Sequence, residues 1–251
     1  MLFLICLCSL GHNMVLVKRI CSPERRKALI SVSASPSVLE LSINDPSDLH
    51  LVITLRIASS TRPDKPITIN TKGTVFARSI EGGTLDIIAR GTAYLVSASD
   101  PRRRINLGNF RTNDLSGHWG SKPSPVDLKE LFPDHLLTIP AKDEIKVSQS
   151  LSLGRIFQHE QTLKPQDVVG EEWRLGLQEG FVGTTWWCWG DLDGDLRDSR
   201  LSAWHEGLRS SSTTQKPDAA DTESGRWMTG GVPAELVFED WTSDAAFRFV
   251  E

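Results

Sequence analysis

Four carboxylates, Asp191, Asp193, Asp195 and Asp198, spell D-x-D-G-D-x-x-D, the kind of oxygen-rich turn a hard cation such as calcium requires. The spacing departs from a calcium-binding helix–loop–helix. Gly194 stands fourth from Asp191, where that loop needs its glycine sixth, and Ser202 falls where the bidentate Glu should be. A solvated acidic turn is the plainer reading, so no metal is expected here. Two imidazole–carboxylate neighbours, His159-Glu160 and His205-Glu206, carry the residue types of general acid–base catalysis. Neither extends to H-E-x-x-H, and adjacent residues on a strand point to opposite faces. They read as polar edges rather than dyads. No G-x-S-x-G elbow, and no phosphate-cradling G-x-x-x-x-G-K-[ST] or G-x-G-x-x-G, occurs anywhere in the chain. No cofactor is implied, and an enzyme has no complete motif to stand on.

Beside the acidic turn lie Trp186, Trp187 and Trp189, with Trp204 beyond it, so Phe181 to Gly207 holds four of the eight tryptophans in the chain. An indole buries a large apolar surface yet carries an N–H that needs a partner. On a strand, Trp187 and Trp189 share one face, and Trp186 shares the other with Cys188. Two readings stay open. Trp187 and Trp189 fill a core with Trp186 half buried, or exposed rings next to Asp191 and Asp193 form a recognition surface for a glycan, a peptide or a hydrophobic metabolite, since aromatic anchors concentrate binding energy. The ligand-binding set on that second reading is Trp186, Trp187, Trp189, Asp191, Asp193, Trp204, His205 and Glu206.

The elements that must position these residues announce themselves by period-two alternation. Leu49, Leu51, Ile53, Leu55 and Ile57 alternate with His50, Val52, Thr54 and Arg56, a strand with one face on a core. Ile30 to Ala34 and Leu39 to Ile43 repeat the pattern around Ser35-Pro36, which predicts the start of a meander. Further strands are expected over 66–70, 84–90, 92–98, 136–140, 145–153, 172–178, 235–238 and 246–250. Ala141 to Glu144 reads as a polar hairpin link between two of them, and Trp173, Leu175 and Leu177 as one strand face. Between Asp100 and Asp134, four prolines and little periodicity predict a long connection with one helical turn near Val126 to Leu131. The fold class expected is mainly β with little helix, an antiparallel immunoglobulin-like β-sandwich with a long central loop, in a single domain over 29–251.

Two segments fall outside that pattern. Residues 1–28 begin with an apolar run of about ten residues, too short for a bilayer crossing of about 20 and without the positive start of a secretory signal. Three readings compete for this leader: a degenerate signal peptide, a short membrane-associated segment, or extra sequence ahead of a start at Met14. In each case disorder is expected and no stable membrane span. Ser210 to Gly225 is poor in apolar residues, so a flexible insert over about 207–226 is expected, the composition being unable to offset ordering entropy.

Composition narrows the partners. At 39% apolar and 24% charged residues with a net charge of -4, the chain can bury a core but offers no general attraction to phosphate backbones. Arg102, Arg103 and Arg104 form the densest basic patch without interleaved aromatics, so no nucleic acid is expected. Cys6, Cys8, Cys21 and Cys188 lack framework spacing, and no Asn-x-Ser/Thr sequon is present. A reducing, cytoplasmic setting fits both.

The succession PSVLELSINDPSDLHLVITLRIASSTRPDKPITINTKGTVF, followed by LTIPAKDEIKVSQSL, resembles the immunoglobulin-like sandwiches of uncharacterised fungal proteins. It is also loosely similar to intracellular protease inhibitors of the BsuPI type. The resemblance spans roughly Ile30 to Trp189 and carries over no functional residue. It implies strands that present loops to a partner. The function expected is a non-catalytic module binding a protein, peptide or small molecule. The alternatives are an enzyme of fungal small-molecule metabolism using Asp191, Asp193, His205 and Glu206 in a Trp-walled pocket, or an intracellular protease inhibitor.

Overall fold

The computed structural model describes residues 21–44, 49–78, 86–108, 125–158, 160, 162–205, 215–239 and 246–251. The described chain is mainly β with little helix. In order it forms β1 (Ala28–Pro36), β2 (Glu40–Ser42), β3 (Leu49–Ser60), β4 (Ile67–Asn70), β5 (Ala93–Ser97), β6 (Arg104–Asn106), α1 (Leu128–Leu131), β7 (Leu136–Ile139) and β8 (Glu144–Leu151). Then follow α2 (Leu153–Phe157), β9 (Glu172–Leu177), β10 (Trp187–Trp189), β11 (Arg200–His205), α3 (Ala219–Glu223), β12 (Trp227–Gly230), β13 (Leu236–Glu239) and β14 (Ala246–Val250). The helical turn expected near 126–131 is α1, where Asp127 caps the first turn by accepting from the Lys129 N–H at 3.0 Å.

Alternation does its work most plainly in β3 and β1, which pair antiparallel and send Leu51, Ile53 and Leu55 together with Ile30, Val32 and Ala34 into the interior. They belong to a four-stranded sheet ordered β13-β1-β3-β8. A five-stranded sheet, β2-β14-β9-β5-β6, contributes Leu95, Trp173, Leu175, Phe247 and Phe249 to the same apolar cluster, and β1 lies against β9 and β14. Within that cluster Trp173 meets Phe249 edge to face at 6.3 Å, a favoured ring geometry. Two smaller sheets, β10-β4-β7 and β11-β12, complete the described architecture.

Pairing departs from the expected antiparallel pattern in three places. β1 runs parallel to β13, β14 parallel to β2, and β11 parallel to β12. The reason lies in where β2 goes. Rather than continuing a meander beside β1, β2 crosses to the other sheet, which leaves an edge of β1 for a strand from the far end of the chain. The link at 141–144 likewise joins strands of different sheets: β7 pairs with β4 and β8 with β3, so no hairpin ladder forms. Pro140 follows β7 directly and has no N–H to extend its ladder.

One expected strand is something else. Ile88–Arg90 is a 3-10 turn, and Asp86 explains it: its carboxylate accepts the Ala89 N–H at 2.9 Å and draws the backbone away from an extended path. The other carboxylate oxygen of Asp86 sits 2.9 Å from the Arg155 guanidinium of α2, both side chains nearly buried. The remainder of that expected strand, 84–85, lies outside the described residues, as do 109–124 of the central connection.

The two segments expected outside the fold are partly built into it. Residues 1–20 lie outside the described residues, but the Lys27 N–H bonds the Glu235 carbonyl at 2.9 Å, the Lys27 carbonyl accepts from Thr61 at 2.9 Å, and Ala28 is buried. In the 207–226 insert, 207–214 lie outside the described residues, whereas α3 forms and Arg226 pairs with Asp221. Among the described residues no helix is long and apolar enough to cross a membrane.

The Asp86–Arg155 pair supplies a test of what holds the α2 end of the fold. Removing one partner of a buried pair leaves an uncompensated charge. Asp86→Ala is expected to lower unfolding stability by about 3–5 kcal/mol in urea titrations, whereas Lys142→Ala, which breaks the exposed Lys142–Asp64 pair, leaves the midpoint where it was.

Candidate functional site

The Trp-rich strand β10 is only three residues long, yet both its faces are covered. Its ladder with β4 sets Trp187 opposite Ile69, Cys188 opposite Thr68 and Trp189 opposite Ile67. Trp187 and Trp189 therefore look into the main core with the two isoleucines, their rings edge to face at 5.3 Å. Trp186 and Cys188 look the other way, into a second cluster with Leu128, Leu196 and Leu201. Trp186 and Trp187 are each 2% exposed and Trp189 is half-buried. The alternation read from sequence places the faces correctly; Trp186 is a core residue, not a half-exposed one.

Two glycines make this packing possible. A Cβ on Gly230 would stand 2.3 Å from Trp186 Nε1, and one on Gly231 would stand 2.5 Å from the six-membered ring of Trp187. Both indoles thus press on bare backbone. The Gly231 N–H bonds the Trp187 carbonyl at 2.8 Å, and Trp187 Nε1 donates to the Val232 carbonyl at 2.9 Å. Trp186 Nε1 is buried with no hydrogen-bond partner, an arrangement that costs stability.

The chain leaves β10 through Gly190, at φ 127° and with its N–H on the Pro66 carbonyl at 2.9 Å. A side chain there would be strained and would meet Leu196 at 2.7 Å. Thr68 Oγ1, fully buried, donates to the Gly190 carbonyl at 2.8 Å. The acidic turn that follows is built by its own carboxylates. Asp191 Oδ1 accepts the N–H groups of Asp193 at 2.7 Å and Gly194 at 3.0 Å, an Asx turn. Asp195 pairs with Lys65 at 2.8 Å, and that ammonium holds its carboxyl below the ordinary value of 3.8. Asp193 and Asp198 are exposed. The four carboxylates therefore do not converge, and among the described residues no group of three or more His, Cys, Asp or Glu could hold a metal ion. Leu196, buried at the centre of the turn, is what the loop wraps around, while Lys129 Nζ donates to the carbonyls of Leu196 and Arg197.

Against this strand and turn opens a cleft of about 460 Å³, within the range of small-molecule sites. Trp187, Cys188 and Trp189 form one wall, Asp195 and Leu196 a second, Met228 to Gly231 a third, and Lys27, Arg62, Lys65 and Glu235 complete it. The Arg62 guanidinium lies 5.5 Å from the centre of the Trp189 ring, a cation–π contact. Of the residues singled out from sequence, Trp187, Trp189 and Asp195 come together here. Asp191 and Asp193 do not line the cleft, nor does buried Trp186. Trp204 is half-buried on β11 with the Lys216 ammonium 4.8 Å from its ring centre, and His205 ends that strand opposite Gly230. Glu206 and His159 lie outside the described residues. Of the basic run, Arg103 pairs with Glu171 at 2.7 Å and Arg104 stacks on Tyr94 at 3.4 Å.

Sequence reasoning missed Lys27, Arg62, Lys65 and the Gly230-Gly231 pair. Lys27 was hidden inside an expected leader. Arg62 and Lys65 sit in the Thr61-Arg-Pro-Asp-Lys-Pro66 turn, whose proline content announces a turn but not what it faces. No protein-family model, curated protein or solved structure matches this chain.

Two measurements check the construction of the wall. Gly231→Ala forces a methyl into the Trp187 ring and is expected to cost about 1–3 kcal/mol, with red-shifted tryptophan emission in the folded state. Burial pushes the Cys188 thiol up to about 12, against a weaker opposing pull from Lys129. Thiolate is the reactive form, so at pH 8 peptide mapping after maleimide treatment should find Cys188 unmodified in folded protein and fully modified in urea.

Proposed function

We propose that the chain is a non-catalytic binding module, an immunoglobulin-like sandwich in architecture, whose ligand site is the cleft beside Trp189. The observation that carries this reading is the composition of the cleft: a half-buried indole face, apolar Leu196 and Met228, side-chain-free backbone at Gly230-Gly231, and charged groups at the sides. Ligand sites are concave and largely apolar with a few placed polar groups. The sandwich reading is supported by β1 lying against β9 and β14, which brings the two larger sheets onto one apolar cluster. The occupant in this reading is a small molecule or a peptide side chain, matched to a depression of about 460 Å³. An enzyme built on Asp191, Asp193, His205 and Glu206 has less support: Asp191 Oδ1 accepts two backbone amides, and of the three that are described, Asp191, Asp193 and His205, none lines the cleft.

A thermal-shift screen of a chemically mixed library tests the reading. A ligand present at a hundred times its Kd stabilises by about 2.7 kcal/mol, roughly 5–10 °C for a chain of this size. Hits are expected to lose their shift in Trp189→Leu and to be recovered chemically unchanged after prolonged incubation. Turnover of a hit would replace the binding module by an enzyme, and shifts indifferent to Trp189→Leu would move the site elsewhere.

A further inference from the structure

The proposed site has a direction of charge that its shape alone does not convey. Three cations, Lys27, Arg62 and Lys65, and two carboxylates, Asp195 and Glu235, face the cleft. Lys65 and Asp195 neutralise each other at 2.8 Å. Neither Lys27 nor Arg62 has an ion-pair partner among the described residues, although Glu235 lies in the same cleft. Arg62 instead rests on the Trp189 ring at 5.5 Å, leaving the fork of its guanidinium free to meet a carboxylate or similar oxyanion in two-point fashion.

These cations are carried on backbone that is tied down. The Thr61 N–H bonds the Lys27 carbonyl at 2.9 Å, the Lys27 N–H bonds the Glu235 carbonyl at 2.9 Å, and the Arg62 N–H bonds Ser60 Oγ at 2.9 Å. The Lys65 N–H closes the turn on the Arg62 carbonyl at 3.1 Å. Main-chain attachment of this kind fixes where the two side chains start, so less freedom is lost when they close on a ligand. The same cleft is also lined by apolar Trp189, Leu196 and Met228, the last able to adjust its shape to a flat or branched occupant.

From this juxtaposition we propose that the cleft takes a small amphipathic organic anion: an apolar, preferably aromatic body against Trp189 and Met228, with its acidic group between Arg62 and Lys27. This rests on the reading of the cleft as a ligand site and adds the charge and polarity of what fills it. The acid group meets the cations at the mouth, where salt screens but does not abolish the attraction, and the ring packs against the exposed part of the half-buried Trp189 indole, beside the guanidinium that lies over it.

Two fluorescent probes with matching rings separate the two claims. 8-Anilinonaphthalene-1-sulfonate carries the anion and N-phenyl-1-naphthylamine lacks it. Titrations of the full chain at low salt should show the sulfonate binding at least ~10-fold more tightly, with the advantage shrinking as salt rises. In Arg62→Gln combined with Lys27→Gln that advantage should vanish while the neutral probe binds as before. Both residues are exposed, so the double variant keeps its unfolding midpoint, and Arg248→Gln on β14 serves as the charge control that changes neither titration. Trp189→Leu should weaken both probes. Equal affinity for the two probes, unaffected by Arg62→Gln and Lys27→Gln, overturns the anion preference and leaves the binding site standing. Absence of binding by either probe overturns the inference together with the reading beneath it.

Discussion

The short ladder between β10 and β4 is the constraint on which the remaining structure hangs, because three residues of strand there serve two hydrophobic clusters at once. Trp187 and Trp189 pack with Ile69 and Ile67 on one side; Trp186 and Cys188 pack with Leu196 and Leu201 on the other. A strand covered on both faces cannot slip by one residue without exchanging its two sets of side chains. Register is therefore locked by burial, and so are the exit through Gly190, the path of the acidic turn and the position of the Gly230-Gly231 backbone against the two indoles.

Consequences for the cleft follow from that lock. One wall is the rim of β10, rigid because it is also core, while its charged side comes from Lys27 just ahead of β1, the β3–β4 turn and the segment before β13, joined by main-chain hydrogen bonds at Lys27, Thr61 and Glu235. The arrangement divides the labour: apolar burial sets the shape and exposed side chains set the charge. The Asp191 to Asp198 loop contributes less chemistry than its sequence suggests, since Asp191 is spent on capping its own turn and Asp195 on Lys65.

Where sequence and structure part company, the cause is pairing at a distance. Alternation in Ile30 to Ala34, Leu49 to Ile57 and Trp173 to Leu177 identifies which residues go inside, and all are buried except Ile57, which is half-buried at the end of that run. It says nothing of which strand lies next to which. Hence the parallel β1–β13, β2–β14 and β11–β12 pairs and the separation of β7 from β8 into different sheets could not be read locally. The Ile88–Arg90 turn was missed for a different reason: an Asp side chain competing for backbone N–H groups overrides an apolar run that otherwise suits a strand.

By itself the amino-acid sequence determined a mainly β chain, the inward-facing positions of its longest strands though not that of Leu39, which is exposed, the helical turn at Leu128–Leu131, and the sorting of Trp187 and Trp189 onto one strand face and Trp186 and Cys188 onto the other. These are properties of period and of local turn chemistry, which act over a few residues. Only tertiary structure decided that Trp186, Trp187 and Cys188 are buried on opposite sides of β10, that Asp191 accepts the amides of its own turn, and that Lys27, Arg62, Trp189 and Gly231 share one cleft. Those four positions are separated by long stretches of chain, and what unites them is the crossing of β2 between sheets and the late return of β13 to β1, choices made by the summed burial of all the strands together.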